Sequence, residues 1–162
     1  MIAAAAAVAP DLRALPEDAW PEELTAFYRS GLPGLLGIEI TAISPGCIEA
    51  RLPLHDGLMQ TAGGILHAGS VVAFADSLAG WGCLASLPDG ATAFVTGELK
   101  INMVASTRQP DVLTAVGILV HGGRSTQVWD VTVARESDAR PLAHFRCTQH
   151  LLGDGAFGSA GS

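Results

Sequence analysis

A chain of 162 residues is enough for one domain with a real core and too little for two ordinary ones. Its formal net charge of −7 and pI of about 5.0, with no cluster of Lys or Arg, argue against a nucleic-acid binder, which needs a basic face for phosphates. Hydrophobic residues make up 49% and mean hydropathy is +0.36, yet no uninterrupted apolar run reaches membrane-spanning length, so burial against other copies of the chain is the better account.

Met1 to Leu15 is alanine-rich and of low complexity, in the manner of a frayed end, and lacks the basic start and apolar core of a signal peptide. Pro16 to Ser30 predicts a short helix: Pro21 suits a first turn, and Leu24, Phe27 and Tyr28 make a helical stripe. Gly31-Leu32-Pro33-Gly34 ends it. Gly37 to Ile43 and Cys47 to Leu54 read as strands about the turn Ser44-Pro45-Gly46. Leu54 to Gly64 is a loop. His67 to Leu84 is the one long helix, kept thin by Ala73, Ala75, Ala79, Gly80 and Gly82. After the turn Pro88-Asp89-Gly90, Thr92 to Val104 alternates, with Val95, Gly97, Leu99, Ile101 and Met103 on one face and Thr96, Glu98, Lys100 and Asn102 on the other. Asp111 to His121, Ser125 to Arg135 and Arg140 to Leu152 are three further strands, turning at Gly122-Gly123 and Ser137-Asp138. From Gly153 the composition is that of a disordered tail.

This order predicts an α+β domain in which a curved antiparallel sheet wraps one long central helix and pairs its edges or faces between subunits. Residues 1–34 are then an N-terminal segment with a short helix, 35–152 the domain, and 153–162 the tail.

Chemistry concentrates between Gly63 and Asp76: a Gly-rich turn, His67, then an apolar helix interrupted by one carboxylate. A lone carboxylate on a buried helix loses its water, a cost that needs a reason. His67 and Asp76 lie nine positions apart. On a helix nine steps turn by roughly 180° and rise by roughly 13 Å, so the two cannot easily share a substrate within one chain. The spacing points to a site shared between subunits.

Elsewhere the sequence excludes more than it offers. Cys47, Cys83 and Cys147 are odd in number and without metal spacing, as expected of reduced, packed thiols in a cytoplasmic protein. The five His residues show no paired ligand spacing, so no metal is expected. No nucleotide-type Gly-rich loop appears, and neither Ser70 nor Ser77 sits on a nucleophile elbow. Trp81 and Trp129 read as core.

Three fragments in this order resemble the hot-dog fold thioesterases of the PaaI-like type, in the same broad family as the 4-hydroxybenzoyl-CoA thioesterases. Gly64-Ile65-Leu66-His67-Ala68-Gly69 followed by Asp76 is similar to the family's Gly-x-x-His-Gly-Gly turn with an acidic residue nine positions after the His. Leu99 to Val104 resembles its strand leading to the CoA cleft, and His121 to Val131 the hairpin of the Arthrobacter-type enzymes. The likeness runs from about Leu35 to Leu152.

It implies an acyl-CoA thioesterase acting on an aryl- or short/medium-chain acyl-CoA, with CoA as part of the substrate and no other cofactor. Asp76 is then the general base or nucleophile. The Ala68 and Gly69 N–H groups form an oxyanion hole at the helix start, although the family usually has Gly where Ala68 sits. His67 lines the site, and Gln60 or Thr61 orients the water or the carbonyl. Arg124, Ser125 and Thr126, just past Gly122-Gly123, contact CoA together with Asn102; Lys100 and Arg108 are weaker candidates for its phosphates. The expected assembly is a dimer or a dimer of dimers, a homotetramer, in the cytoplasm. Two rivals stay open: a hot-dog dehydratase or hydratase with His67 as base, and a non-catalytic acyl-CoA-binding module.

Overall fold

A computed structural model describes residues 10–153. The alanine-rich start and the Gly/Ser-rich tail, apart from Pro10 to Leu15 and Gly153, lie outside the described residues. In chain order come α1 (Trp20–Phe27), α2 (Leu32–Leu36), β1 (Glu39–Ser44), β2 (Cys47–Pro53), α3 (Ala68–Ala85), β3 (Ala93–Met103), β4 (Val112–Gly122), β5 (Thr126–Arg135) and β6 (Pro141–Leu152). The six strands form one sheet in the order β1-β2-β4-β5-β6-β3, every neighbouring pair antiparallel. This is the expected α+β arrangement: one long helix against an open antiparallel sheet.

The inward side chains of the sheet meet α3. Ile48, Leu52, Leu113, Trp129, Val133 and Phe145 are buried against its Val71, Phe74, Leu78 and Ala79. Each large apolar side chain buried contributes on the order of 1.5–3 kcal/mol, so this face of α3 outweighs the cost of one half-buried carboxylate on the same helix. The thin-helix reading has a direct cause. A Cβ on Gly82 would fall 2.7 Å from the Trp129 ring and 3.2 Å from an Ile48 methyl, and one on Gly80 would fall 2.9 Å from the Phe94 ring.

α3 corrects the composition argument in one respect. Its 18 residues, with a mean hydropathy of 1.3, are long and apolar enough to cross a membrane. Nine of them, from Val71 to Cys83, are buried within the molecule, which makes it a core helix here.

Two local expectations also change. Gly31-Leu32-Pro33-Gly34 does not only end α1; it builds α2. Pro33 sits in the first turn, where its missing N–H costs nothing. Gly34 lies so close to the preceding turn that a Cβ would be 1.9 Å from the Arg29 carbonyl oxygen. Gly37, at φ +78°, closes α2 in the left-handed conformation that glycine favours. Trp20 and Leu24 of α1 and Leu36 of α2 join the same core as the sheet.

The second change is in β3. Its pairing with β6 shifts between Thr96 and Glu98: Thr96 faces Gln149, Glu98 faces Thr148, and Gly97 has no partner. One extra residue in a strand of period two exchanges the faces on either side of it. Thr96 therefore shares the α3-facing side with Leu99, Ile101 and Met103, while Val95 goes to the other side, contrary to strict alternation.

Candidate functional site

The N-terminus of α3 is built by two short pairings. Met59 bridges Leu66, and the Gln60 N–H donates to the Ile65 carbonyl at 2.8 Å, which makes residues 60 to 65 a tight loop over the helix start. Gly63 (φ +82°) and Gly64 (φ +59°) supply its left-handed positions. The Arg108 guanidinium donates to the Gly63 carbonyl and ties down the tip. Gln60 is half-buried and Thr61 exposed at that tip, and neither side chain has a hydrogen bond among the described residues.

His67 is the N-cap of α3, with extended φ −73° and ψ 132°. Its Nδ1 accepts the Gly69 N–H at 2.9 Å. A Cβ on Gly69 would stand 2.9 Å from that nitrogen, so glycine leaves room for the ring. An accepting Nδ1 is bare, and the proton of the neutral ring is on Nε2. Gly69 thus spends its N–H inside the cap, and Ala68, the first helical residue, keeps an N–H of the helix start.

His55 repeats this motif: its Nδ1 accepts the Gly57 N–H at 3.2 Å, and its Nε2 lies 3.3 Å from the Leu36 carbonyl. There both ring nitrogens are used in holding the fold. His67 Nε2 has no partner among the described residues.

Asp76 is half-buried midway along α3, and Thr96 Oγ1 contacts its Oδ1 at 3.5 Å. Burial pushes the carboxyl above its ordinary value, against the smaller lowering effect of Thr96. Because His67 caps the helix and is not on it, the rotation counted at 100° per residue does not describe its side chain. What separates the two ends is length: Asp76 follows Ala68 by eight residues, about 12 Å of rise. Within one chain the Ala68 N–H and the Asp76 carboxylate cannot both reach one thioester carbonyl.

The remaining predicted residues do not converge with these in one chain. Arg124 and Ser125 lie in the β4–β5 turn, and Thr126 opens β5. That turn lies toward the far end of α3, where the Gln127 amide donates to the Ser86 carbonyl at 2.7 Å and the Gly46 N–H donates to Ser86 Oγ at 2.9 Å. Asn102 is exposed on the sheet face turned away from α3, paired with His144, in a shallow depression with Lys100, Asp130, Thr132 and Arg146. Trp129 and Trp81 are core, 0% and 3% exposed.

Sequence reasoning missed Thr96 and Gln149. Thr96 Oγ1 lies 3.0 Å from Gln149 Oε1, and the Gln149 amide donates to Cys147 Sγ at 3.4 Å, a polar chain running from Asp76 into the sheet. A glycine inside a strand, Gly97, was the available sign of a bulge.

Comparison with known proteins agrees with this architecture. The family model described as the thioesterase superfamily matches residues 63–142. A 1,4-dihydroxy-2-naphthoyl-CoA hydrolase of Listeria monocytogenes is 32% identical over 73% of this chain and 93% of its own length. The crystal structure of a Haemophilus influenzae thioesterase, HI1161, superposes with a TM-score of 0.75 at 28% identity, covering 82% of this chain and 90% of that one. A hypothetical thioesterase from Streptococcus pneumoniae, solved with coenzyme A, gives a TM-score of 0.65 at 25% identity over 72% of this chain and 89% of that one. A carboxylate held half out of water on the central helix, a capped helix start and these relatives lead to one conclusion: the chain belongs to the thioesterase superfamily and is a thioester hydrolase.

Proposed function

We propose that the protein hydrolyses an aryl- or short/medium-chain acyl-CoA to the free acid and CoA, at a site shared between two copies of the chain. The observation that carries the shared site is the distance of about 12 Å along α3 between the Ala68 N–H and Asp76. The relative that hydrolyses a naphthoyl-CoA and the relative solved with coenzyme A support the substrate class.

Asp76 of one copy takes a proton from water as its oxygen attacks the thioester carbonyl carbon. The Ala68 N–H of the other copy, at the positive end of α3, holds the developing oxyanion. Collapse of the tetrahedral intermediate breaks the carbon–sulfur bond, and the proton on Asp76 passes to the departing CoA sulfur. With its proton on Nε2, His67 is arranged to donate to the carbonyl oxygen and not to act as a base on carbon, which speaks against the hydratase alternative. Whether Gln60 or Thr61 orients the water follows from which one the second copy's carboxylate meets. Arg124, Ser125, Thr126 and Asn102 reach the CoA of a site completed by another subunit. CoA enters with the substrate, and the reaction uses no further cofactor or metal.

The exposed strand β3 offers the means of pairing. It is a sheet edge, and Val95, Leu99 and Met103 are 41%, 43% and 38% exposed on it. A dimer, or a dimer of dimers in the cytoplasm, covers such a surface.

The test is complementation. Asp76→Asn and Ala68→Pro are each inactive by this scheme, the second because proline has no N–H, and the first helical position tolerates proline. Co-refolded together, they give mixed dimers with one intact interface site, and CoA release returns to a fraction of the wild-type rate. Assembled mixed dimers as inactive as their parents overturn the shared site. A stable, active monomer in sedimentation does so as well.

A further inference from the structure

We propose that Thr96 is a positioning residue for Asp76, and that Gln149 controls it by competing for the Thr96 hydroxyl proton. The inference rests on the reading of Asp76 as the base. Thr96 carries one hydroxyl proton and faces two acceptors, Gln149 Oε1 at 3.0 Å and Asp76 Oδ1 at 3.5 Å. Gln149 is 0% exposed, with its amide N–H directed to Cys147 Sγ, so its carbonyl oxygen has Thr96 as its donor. A buried acceptor left without a donor is costly, and the hydroxyl rests on Gln149. The carboxylate is left with the longer contact and with burial, which is how a base stays underbonded.

The same hydroxyl serves both forms of Asp76. When Asp76 is charged, Thr96 can swing its proton to the carboxylate. When Asp76 has taken the water proton, the acid O–H can donate to Thr96 Oγ1 while Thr96 continues to donate to Gln149. No atom is gained or lost by Thr96 in the cycle. The Gly97 bulge makes this possible by bringing Thr96 to the inner face; its open Cβ position is where the His150 ring lies, at 2.3 Å. In unbroken alternation Thr96 would point away from α3.

The surroundings leave few other causes for a titration. Among the described residues, the α3-facing sides of β1 to β5 carry one charged group, Arg135 at the end of β5, opposite Leu113 and ion-paired with Asp138, and the residues of α2 carry none. The Tyr28 ring, against Trp81 of α3, is pushed up by burial and stays neutral. From β6 comes Cys147 and from α3 itself Cys83, both thiols pushed up to about 12, chiefly by burial, and neutral through the range of an assay. Asp130 and Arg146 are paired on the opposite face of the sheet.

The experiment is the pH profile of kcat/KM for the full-length protein against one acyl-CoA, in wild type, Thr96→Val, Thr96→Ser, Gln149→Met and Asp76→Asn. Thr96→Val removes the donor to the carboxylate, and the acid limb moves up by roughly half a pH unit, about threefold in rate on its acid side. Thr96→Ser keeps the limb in place. Gln149→Met frees the hydroxyl for Asp76, and the limb moves down. Opposite signs are not the signature of a loosened fold, which would move both variants alike. Coincident limbs, or shifts of the same sign, overturn the inference while the loss of turnover in Asp76→Asn leaves the base assignment standing. Near wild-type turnover in Asp76→Asn overturns the assignment itself and the inference with it. If Thr96→Val does not fold, Gln149→Met decides alone: an upward shift or none overturns the proposal. A carbon-13 titration of the Asp76 carboxyl in Gln149→Met reads the same displacement without turnover.

Discussion

Two aspartates, one on the helix beneath the sheet and one on the sheet's outer face, live under opposite conditions. Asp76, on the inner side, is raised by burial and has one long contact with a hydroxyl. Asp130, on the outer side, accepts both donors of the Arg146 fork at 2.5 and 2.6 Å and is held below the ordinary carboxylate range, first by that hydrogen bonding. The outer carboxylate is satisfied and has no proton to trade at neutral pH. The inner one is not, and a group kept short of partners is one that chemistry can use. The difference is made by where each lies, on the helix beneath the sheet or on the sheet's outer face, and not by residue type.

The contrast breaks most visibly in turnover. Asp76→Asn is expected to fold yet lose on the order of 10²–10⁴-fold in kcat/KM, while Asp130→Asn stays close to wild type in a CoA-release assay. Asp76→Asn near wild type removes the distinction. Thiol chemistry sharpens the picture of the inner face next. Cys83 and Cys147, pushed from 9.0 to about 12, should alkylate about 10³-fold more slowly than free thiols at pH 8 until the chain is unfolded. Prompt labelling of both by iodoacetamide in the native protein shows that water reaches this face.

Stability against pH gives a smaller effect with a defined sign. A carboxyl raised in the folded state favours folding fully below its unfolded value and loses that contribution as pH rises through the folded one. Asp76→Asn has no such titration, so its advantage over wild type in denaturant melts should grow from acid to neutral pH and flatten in acid. Asp130 has the reverse sign: the contribution of its lowered carboxyl is present above the unfolded value and lost as pH falls through the folded one. Asp130→Asn is thus slightly less stable than wild type at neutral pH, screened by solvent, and equal to it in strong acid. A shared sign for the two variants contradicts the comparison.

Much of this arrangement was readable from residues. Period-two runs placed β4, β5 and β6 to within a residue or so of their ends, and the small residues of α3 foretold how closely the sheet approaches it. Asp76 stood out because a charge on an apolar helix is expensive. What escaped was set by pairing. Thr96 faces inward only because β6 fixes a bulge at Gly97, and Gln149 matters only through Thr96, which lies 53 residues before it. The short helix at Leu32–Leu36 was hidden because Pro and Gly mark starts and close contacts as well as ends. The Gly69 N–H looked free for an oxyanion because a histidine cap leaves no trace in spacing.

The order of strands has a consequence for how the molecule is made. β3 leaves α3 long before β6 is synthesised, yet β6 is the strand it pairs with in the sheet. Until the last strand arrives, β3 is unpaired on both sides and not only along the outer edge that the finished sheet keeps, and the contacts with β6 are distant in sequence and slow to form. The interval between the two strands is when a nascent chain is most exposed to mispairing with its neighbours on a polysome, and β6 ends that interval in the same movement that sets Gln149 beside Thr96.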